Sequence, residues 1–361
     1  MAEVWQEEVR GGFVEPRMLG LSGREQIQSY FRGLAPRPPI HYLTGMLPTG
    51  MDEESVTFTM PATGWLQAPT GHVYPGALAI LADGPLGSAV QAALPPMTPY
   101  TTAELSMNYL RPIPADGRTL TCRGRLVTAG RTLGLADCEI ADEDGRVVAH
   151  GTTRCFIFPP FAPPPEEPPV FETVREPSWD APAPFERPPA GEILPQEVWD
   201  RMSGLEVMRG HVRGELPPPP LHHLTGMRPT EAEEGACTFA MPATGWLCSP
   251  LGKLEGGTIA MLADLGVTSA VQTTIPAGSS FAPLDLKVNF LRPVDPDGRD
   301  LVARGTVGHR GRTIAVATSE VRNADGKKVA VATGTALVLP DRPWRVDRPV
   351  DASAEAAEPA S

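Results

Sequence analysis

One feature constrains this chain more than any other: it carries the same segment twice. "VYPGALAILAD" occupies residues 73–83, and "LEGGTIAMLAD" occupies 254–264. Position 264 less position 83 sets an offset of 181, and at that offset residues 40–159 align with 221–340 without a gap. About 51 of roughly 120 aligned positions are identical, far above chance. "LTGM" recurs at 43 and 224, "MPATGWL" at 60 and 241, and "SAVQ" at 88 and 269. A period this long means a duplicated domain and excludes a short-repeat solenoid.

Between the copies runs a Pro-rich stretch, "FPPFAPPPEEPPVFETVREPSWDAPAPFERPPAGE". Its composition favours extended backbone and reads as a linker over 159–193. The expected organisation is a first domain over 1–158, this linker, a second domain over 194–342, and a disordered tail over 343–361.

Each copy shows the same order of elements. A short amphipathic helix leads, with Ile27, Tyr30 and Phe31 on one face in the first copy and Val207, Met208 and Val212 in the second. A strand follows, then one longer helix over about 76–93 and 257–273, apolar on most sides and so expected to be buried. Four further strands come after it, with "DEDG" and "NADG" as hairpin turns. One helix followed by an antiparallel run predicts an α+β fold, the helix wrapped by a curled sheet.

Charge and cysteine usage narrow the function classes. The net charge of −12, without a basic run, argues against nucleic acid or anionic membrane as main partners. The five cysteines have no metal-ligand spacing, so no metal site is expected and the thiols should be reduced. "MAEVWQEEVR" lacks the apolar core of a signal peptide, and no apolar run reaches spanning length. These readings predict a cytoplasmic protein. Motifs for serine hydrolases, P-loops, zinc proteases and dinucleotide folds are absent.

A helix opening with Gly256-Gly257 and carrying Asp264, then Asn108-Tyr-Leu-Arg-Pro, then "GRT" and "DEDGRVVA", resembles the hotdog-fold acyl-CoA thioesterases of the phenylacetic-acid-degradation (PaaI-like) type. The likeness covers both repeats, about two-thirds of the chain. It implies a double hotdog, in which one chain supplies the pair of domains that relatives assemble from two. It further implies an acyl-CoA partner, hydrolysis to acid and free CoA, and no cofactor beyond the CoA of the substrate. Homo-oligomers of such double hotdogs are conceivable on the same basis.

In that family a helix carboxylate activates water or attacks the thioester, and a backbone N–H at the helix start holds the thioester oxygen. Helix N-termini offer free N–H groups and a partial positive charge, which suits a developing oxyanion. The resemblance places the donor at Gly256 in the second copy, with Gly257 beside it. In the first copy the donor position is Pro75, next to Gly76, and proline has no N–H. A hydroxyl on the following strand is matched by Thr101 and Thr102 in the first copy, but by Ala282 and Pro283 in the second. Reading donor and acid from one helix, and the hydroxyl across the interface, groups Gly256, Asp264 and Thr102 as the working site. Asp83, Pro75 and Gly76 then form a degenerate one. Gly84 and Pro85, directly after Asp83, read as helix breakers.

Two departures stand out. The family's His before Gly-Gly is Tyr74 or Glu255 here, and an Asn upstream is Ala68 or Ser249, leaving Ser249 as a candidate to position water. Arg111, Arg292, Arg131 and Arg312 are candidates for CoA phosphates, although structural roles suit them as well. The recurring His41 and His222 read as packing residues. Two other functions fit less of the pattern: a non-catalytic acyl-CoA or apolar-ligand binder, and a hotdog dehydratase, which would need a catalytic His.

Overall fold

The computed structural model describes residues 3–345. In the first copy the strands are β1 (Leu47–Met51), β2 (Ser55–Pro61), β3 (Tyr100–Tyr109), β4 (Thr119–Ala129), β5 (Leu133–Ala141) and β6 (Val147–Ile157). In the second they are β7 (Arg228–Glu233), β8 (Ala236–Pro242), β9 (Ser280–Phe290), β10 (Asp300–Arg310), β11 (Ile314–Arg322) and β12 (Lys328–Leu339). The long helices are Leu78–Gln91 and Gly256–Gln272. The fold is the expected α+β double hotdog, and both hairpin turns use a left-handed glycine, Gly145 and Gly326.

All strands join one antiparallel sheet in the order β1-β2-β4-β5-β6-β3-β9-β12-β11-β10-β8-β7. That order reads the same from either end once the repeat offset is applied. The seam is β3 against β9, where Ser106 pairs with Lys287, its own counterpart in the other copy. An internal two-fold therefore passes between these residues. It also brings the two long helices into contact at the centre of the molecule.

The contact depends on missing side chains. A Cβ on Gly257 would lie 2.5 Å from the Ala79 carbonyl and from the Ile80 Cα. Gly124 and Gly305 similarly let the sheet touch helix backbone at Pro85 and Gly266. Around these close approaches one continuous core runs through both copies, with Leu81, Leu86, Leu262 and Trp246 essentially inaccessible. Each such aliphatic side chain stabilises the fold by roughly 1.5–3 kcal/mol relative to exposure.

Gly84 and Pro85 do not end the first helix, which continues to Gln91. Proline at this point removes one intrahelical bond, and dense packing over-rides that loss: Pro85 is buried, and Gly84 sits against the Phe58 ring. Before the helix, however, Pro75–Ala77 forms a 3-10 turn, whereas the second helix begins directly at Gly256. The local sequence difference at position 75 is thus a difference in backbone shape as well as in donors.

The Pro-rich stretch does more than connect. Phe185 and Pro189 pack on Gly45 and Gly64 of the first copy, and the Trp65 indole donates to the Arg187 carbonyl at 2.8 Å. The N-terminal arm mirrors this on the second copy: Trp5 and Val9 meet Gly226 and Gly245, and the Trp246 indole donates to the Glu7 carbonyl at 3.2 Å. Arg187 and Glu7 join the two arms through paired 2.9 Å bonds. Of the stretch set apart as a tail, Trp344 packs on Trp199 and Phe281, and residues from 346 on lie outside the described ones.

Candidate active site

The two helices lie so that the carboxylate of each approaches the start of the other. The Asp83 Oδ2 accepts the Gly257 N–H at 3.0 Å. A Cβ on Gly256 would sit 2.9 Å from the same oxygen. The Thr102 hydroxyl donates to Asp83 Oδ1 across 3.4 Å, a long and weak bond. Asp83, Thr102 and Gly256 are all half-buried, so this cluster meets solvent. Burial raises the Asp83 carboxyl above its ordinary range, and the Gly257 N–H, the Thr102 hydroxyl and the Gly256 N–H pull it back.

The other acid has a different setting. Asp264 is 0% exposed. The Tyr74 hydroxyl donates to its Oδ2 and lies 3.0 Å from the Thr268 hydroxyl. Tyr109 brings a second hydroxyl close enough to bear on the same carboxyl. Even so, Asp264 Oδ1 and the Tyr109 hydroxyl remain buried without hydrogen-bond partners among the described residues. Burial pushes the Asp264 carboxyl up to about 7, against the lowering pull of the two tyrosines.

The residues singled out in the sequence are thus regrouped. Gly256 and Thr102 converge on Asp83, not on Asp264, and Pro75 and Gly76 lie at the Asp264 end. Helix geometry gives the reason. Gly256 and Asp264 are eight residues apart on one helix, about 12 Å along its axis, too far to grip one carbonyl from both sides. Pairing the helices across the two-fold brings the start of one beside the acid of the other. Thr102 stays with the acid of its own copy because β3 lies beside its own helix.

The supporting candidates divide. Thr101 is exposed on the outer surface. Ser249 lies in a tight turn whose backbone bonds run to Lys253 and Gly252. Arg111 and Arg292 donate to the Val147 and Lys328 carbonyls, equivalent structural roles in the two copies. His41 and His222 stack edge-on against Phe58 and Phe239, and burial holds each down at about 3. All five cysteines are free and buried.

Tyr109 and Thr268 went unnoticed in the sequence. The signal was available: at the repeat offset their counterparts are Phe290 and Gly87, so each of these two hydroxyls lacks an equivalent in the other copy.

Comparison with known proteins agrees with the fold. The family model described as thioesterase superfamily matches residues 70–149 and 251–330, the same part of each repeat. A Vibrio cholerae protein, provisionally named an esterase, is 25% identical over 148 residues, covering 40% of this chain and 93% of its own. The tesB protein of Mycobacterium avium subsp. paratuberculosis superposes with a TM-score of 0.51 at 14% identity, covering 84% of this chain and 98% of its own. A hot dog fold protein of unknown function from Alicyclobacillus acidocaldarius gives 0.51 at 15%, covering 87% and 100%. Among the described residues no helix is long and apolar enough to cross a membrane.

Proposed function

We propose that this chain, whose two repeats both match the thioesterase superfamily model, hydrolyses an acyl-CoA thioester at one site, built from Asp83, Gly256, Gly257 and Thr102. The observation that carries this reading is the Gly257 N–H to Asp83 contact across the two copies.

The parts suit the chemistry. Asp83 activates a water, which adds to the thioester carbon. The oxygen gains negative charge and meets the N–H of Gly256 at the positive end of the second helix. Gly257 meanwhile holds the carboxylate, and Thr102 supports its other oxygen. Glycine at 256 lets the acid come close, since a Cβ there would lie 2.9 Å from Asp83 Oδ2 and push the carboxylate aside. The site draws on both copies, so neither repeat can make it alone.

The Asp264 end is the silent one in this reading. Pro75 offers no N–H, Tyr74 fills the approach, and no solvent reaches the acid. A dehydratase reading has little support, since the groups that touch Asp83 and Asp264 are hydroxyls and backbone N–H. Thiol release from aromatic, short and long acyl-CoAs tests the proposal. Hydrolysis of one class that disappears in Asp83→Asn supports it. Tight binding without turnover across the whole panel would make the protein an acyl-CoA binder.

A further inference from the structure

The residue just before the glycine pair differs between the copies, and the difference falls at the two acids. Tyr74 caps the first helix segment and reaches across to Asp264. Its counterpart, Glu255, caps the second helix and is only 6% exposed. Its Oε2 is buried with no hydrogen-bond partner among the described residues. The next two residues are the ones that meet Asp83. A buried carboxyl with an idle oxygen, directly preceding the two glycines that meet a second carboxyl, needs a physical explanation, because isolated buried charge is strongly disfavoured.

Resting on the proposed hydrolytic site, we propose that Glu255 is its second functional carboxyl, holding the proton that Asp83 does without and delivering it to the departing sulfur. Two titratable groups bear on it: Asp83 from the first helix and Cys248 from the preceding turn. Burial first, and then the Asp83 charge, push Glu255 well above the usual carboxyl range. Asp83 has a backbone N–H to stabilise its ionised form, whereas the Glu255 Oε2 has no donor. Two carboxyls in unlike surroundings separate into a base and an acid.

The steps balance. Asp83 takes one proton from water as the water oxygen bonds to the thioester carbon, and the carbonyl electron pair moves onto oxygen. When the intermediate collapses, the C–S bond breaks and its pair goes to sulfur, which takes the Glu255 proton. The proton on Asp83 then returns to Glu255. The products are the carboxylic acid and the thiol.

The test compares leaving groups. Glu255→Gln keeps size and hydrogen bonding but has no proton to give. It should slow kcat/KM for acyl-CoA by at least roughly 100-fold. The aryl thioester of the same acyl group, whose thiolate leaves unprotonated, should change only a few-fold. Equal slowing of both substrates, or no change in either, would overturn the proposal. A second readout needs no turnover. In an Asp264→Asn background at pH 8, infrared spectra should contain the carbonyl band of a protonated carboxyl, lost on adding Glu255→Gln. Absence of that band also overturns the proposal. Loss of activity in Asp83→Asn with the band retained separates the base from the acid. A wild type that shows the band but turns over neither substrate removes the hydrolytic reading and the proton delivery with it.

Discussion

The two acids of this molecule occupy equivalent places on equivalent helices, and they have become opposites. Asp83 sits in a half-buried cluster with a backbone N–H, a hydroxyl and a glycine that admits it closely. Asp264 is sealed under Tyr74, Tyr109 and Thr268. Neither acid changed. What differs is the side of the partner copy that each one meets: Glu255-Gly256-Gly257 for Asp83, and Tyr74-Pro75-Gly76 for Asp264. In the proposed reading, a duplicated domain loses one site through substitutions in the copy that keeps the other acid. Pro75 removes the donor for Asp264 while leaving the Asp83 site in its own copy untouched.

The largest expected effect separates the two acids directly. Asp83→Asn should lower kcat by roughly 100- to 10,000-fold, because an amide cannot accept the proton. Asp264→Asn should leave kcat within a few-fold. Equal losses in acyl-CoA assays would mean that both ends work.

Next is the transfer of the proline. Gly256→Pro copies position 75 into the other copy and removes the oxyanion donor, a loss of roughly 100- to 1,000-fold beyond that of Gly256→Ala, which adds only the Cβ beside Asp83. Circular dichroism should show the fold retained, since Pro75 already starts the equivalent segment. The reverse change, Pro75→Gly, should restore nothing at Asp264, because Tyr74 still fills that end. A gain of activity in an Asp83→Asn, Pro75→Gly double variant would refute this.

The sealed acid should be visible in stability. Its carboxyl is raised to about 7 in the folded protein, from an ordinary value near ~3.9 when unfolded. Between these values the folded state keeps a proton that the unfolded chain has lost. Stability is therefore fullest below about pH 4 for this group and declines as pH rises toward 7. Asp264→Asn escapes that decline. Its melting temperature should exceed that of the wild type by several degrees at pH 8, with the gap closing toward pH 4. An unchanged gap across pH would mean that Asp264 is not raised.

Smallest of all should be Thr102→Val. The bond it removes is long, so a loss of about ten-fold or less in kcat is expected. A loss as large as that of Asp83→Asn would show that the hydroxyl positions the water itself.

Much of the fold was legible in the chain. The repeat, the order of elements, the hairpin glycines and the two long helices all follow from local pattern, and the helix positions differ from the structure by only one or two residues at most ends. The arms were less legible. Proline-rich composition signals extended backbone but not what it lies on, and Phe185 and Pro189 pack on Gly45 and Gly64 of distant segments. Gly84-Pro85 misled for a similar reason: a helix propensity is a few kcal/mol at most, and a buried helix held on several sides can carry that cost.

The sequence by itself determined which chemical groups exist: two acids, one free helix-start donor, two adjacent strand hydroxyls, and a glutamate where the other copy has a tyrosine. It could not determine which of them meet. Residues on one helix have fixed spacing, and that spacing makes the Gly256–Asp264 pair look like a unit when about 12 Å of helix separates them. The tertiary structure decided the grouping, because the two-fold seam at β3 and β9 lays each helix start beside the acid of the other copy. Contacts across that axis join residues 174 positions apart in the chain, and no local pattern records them.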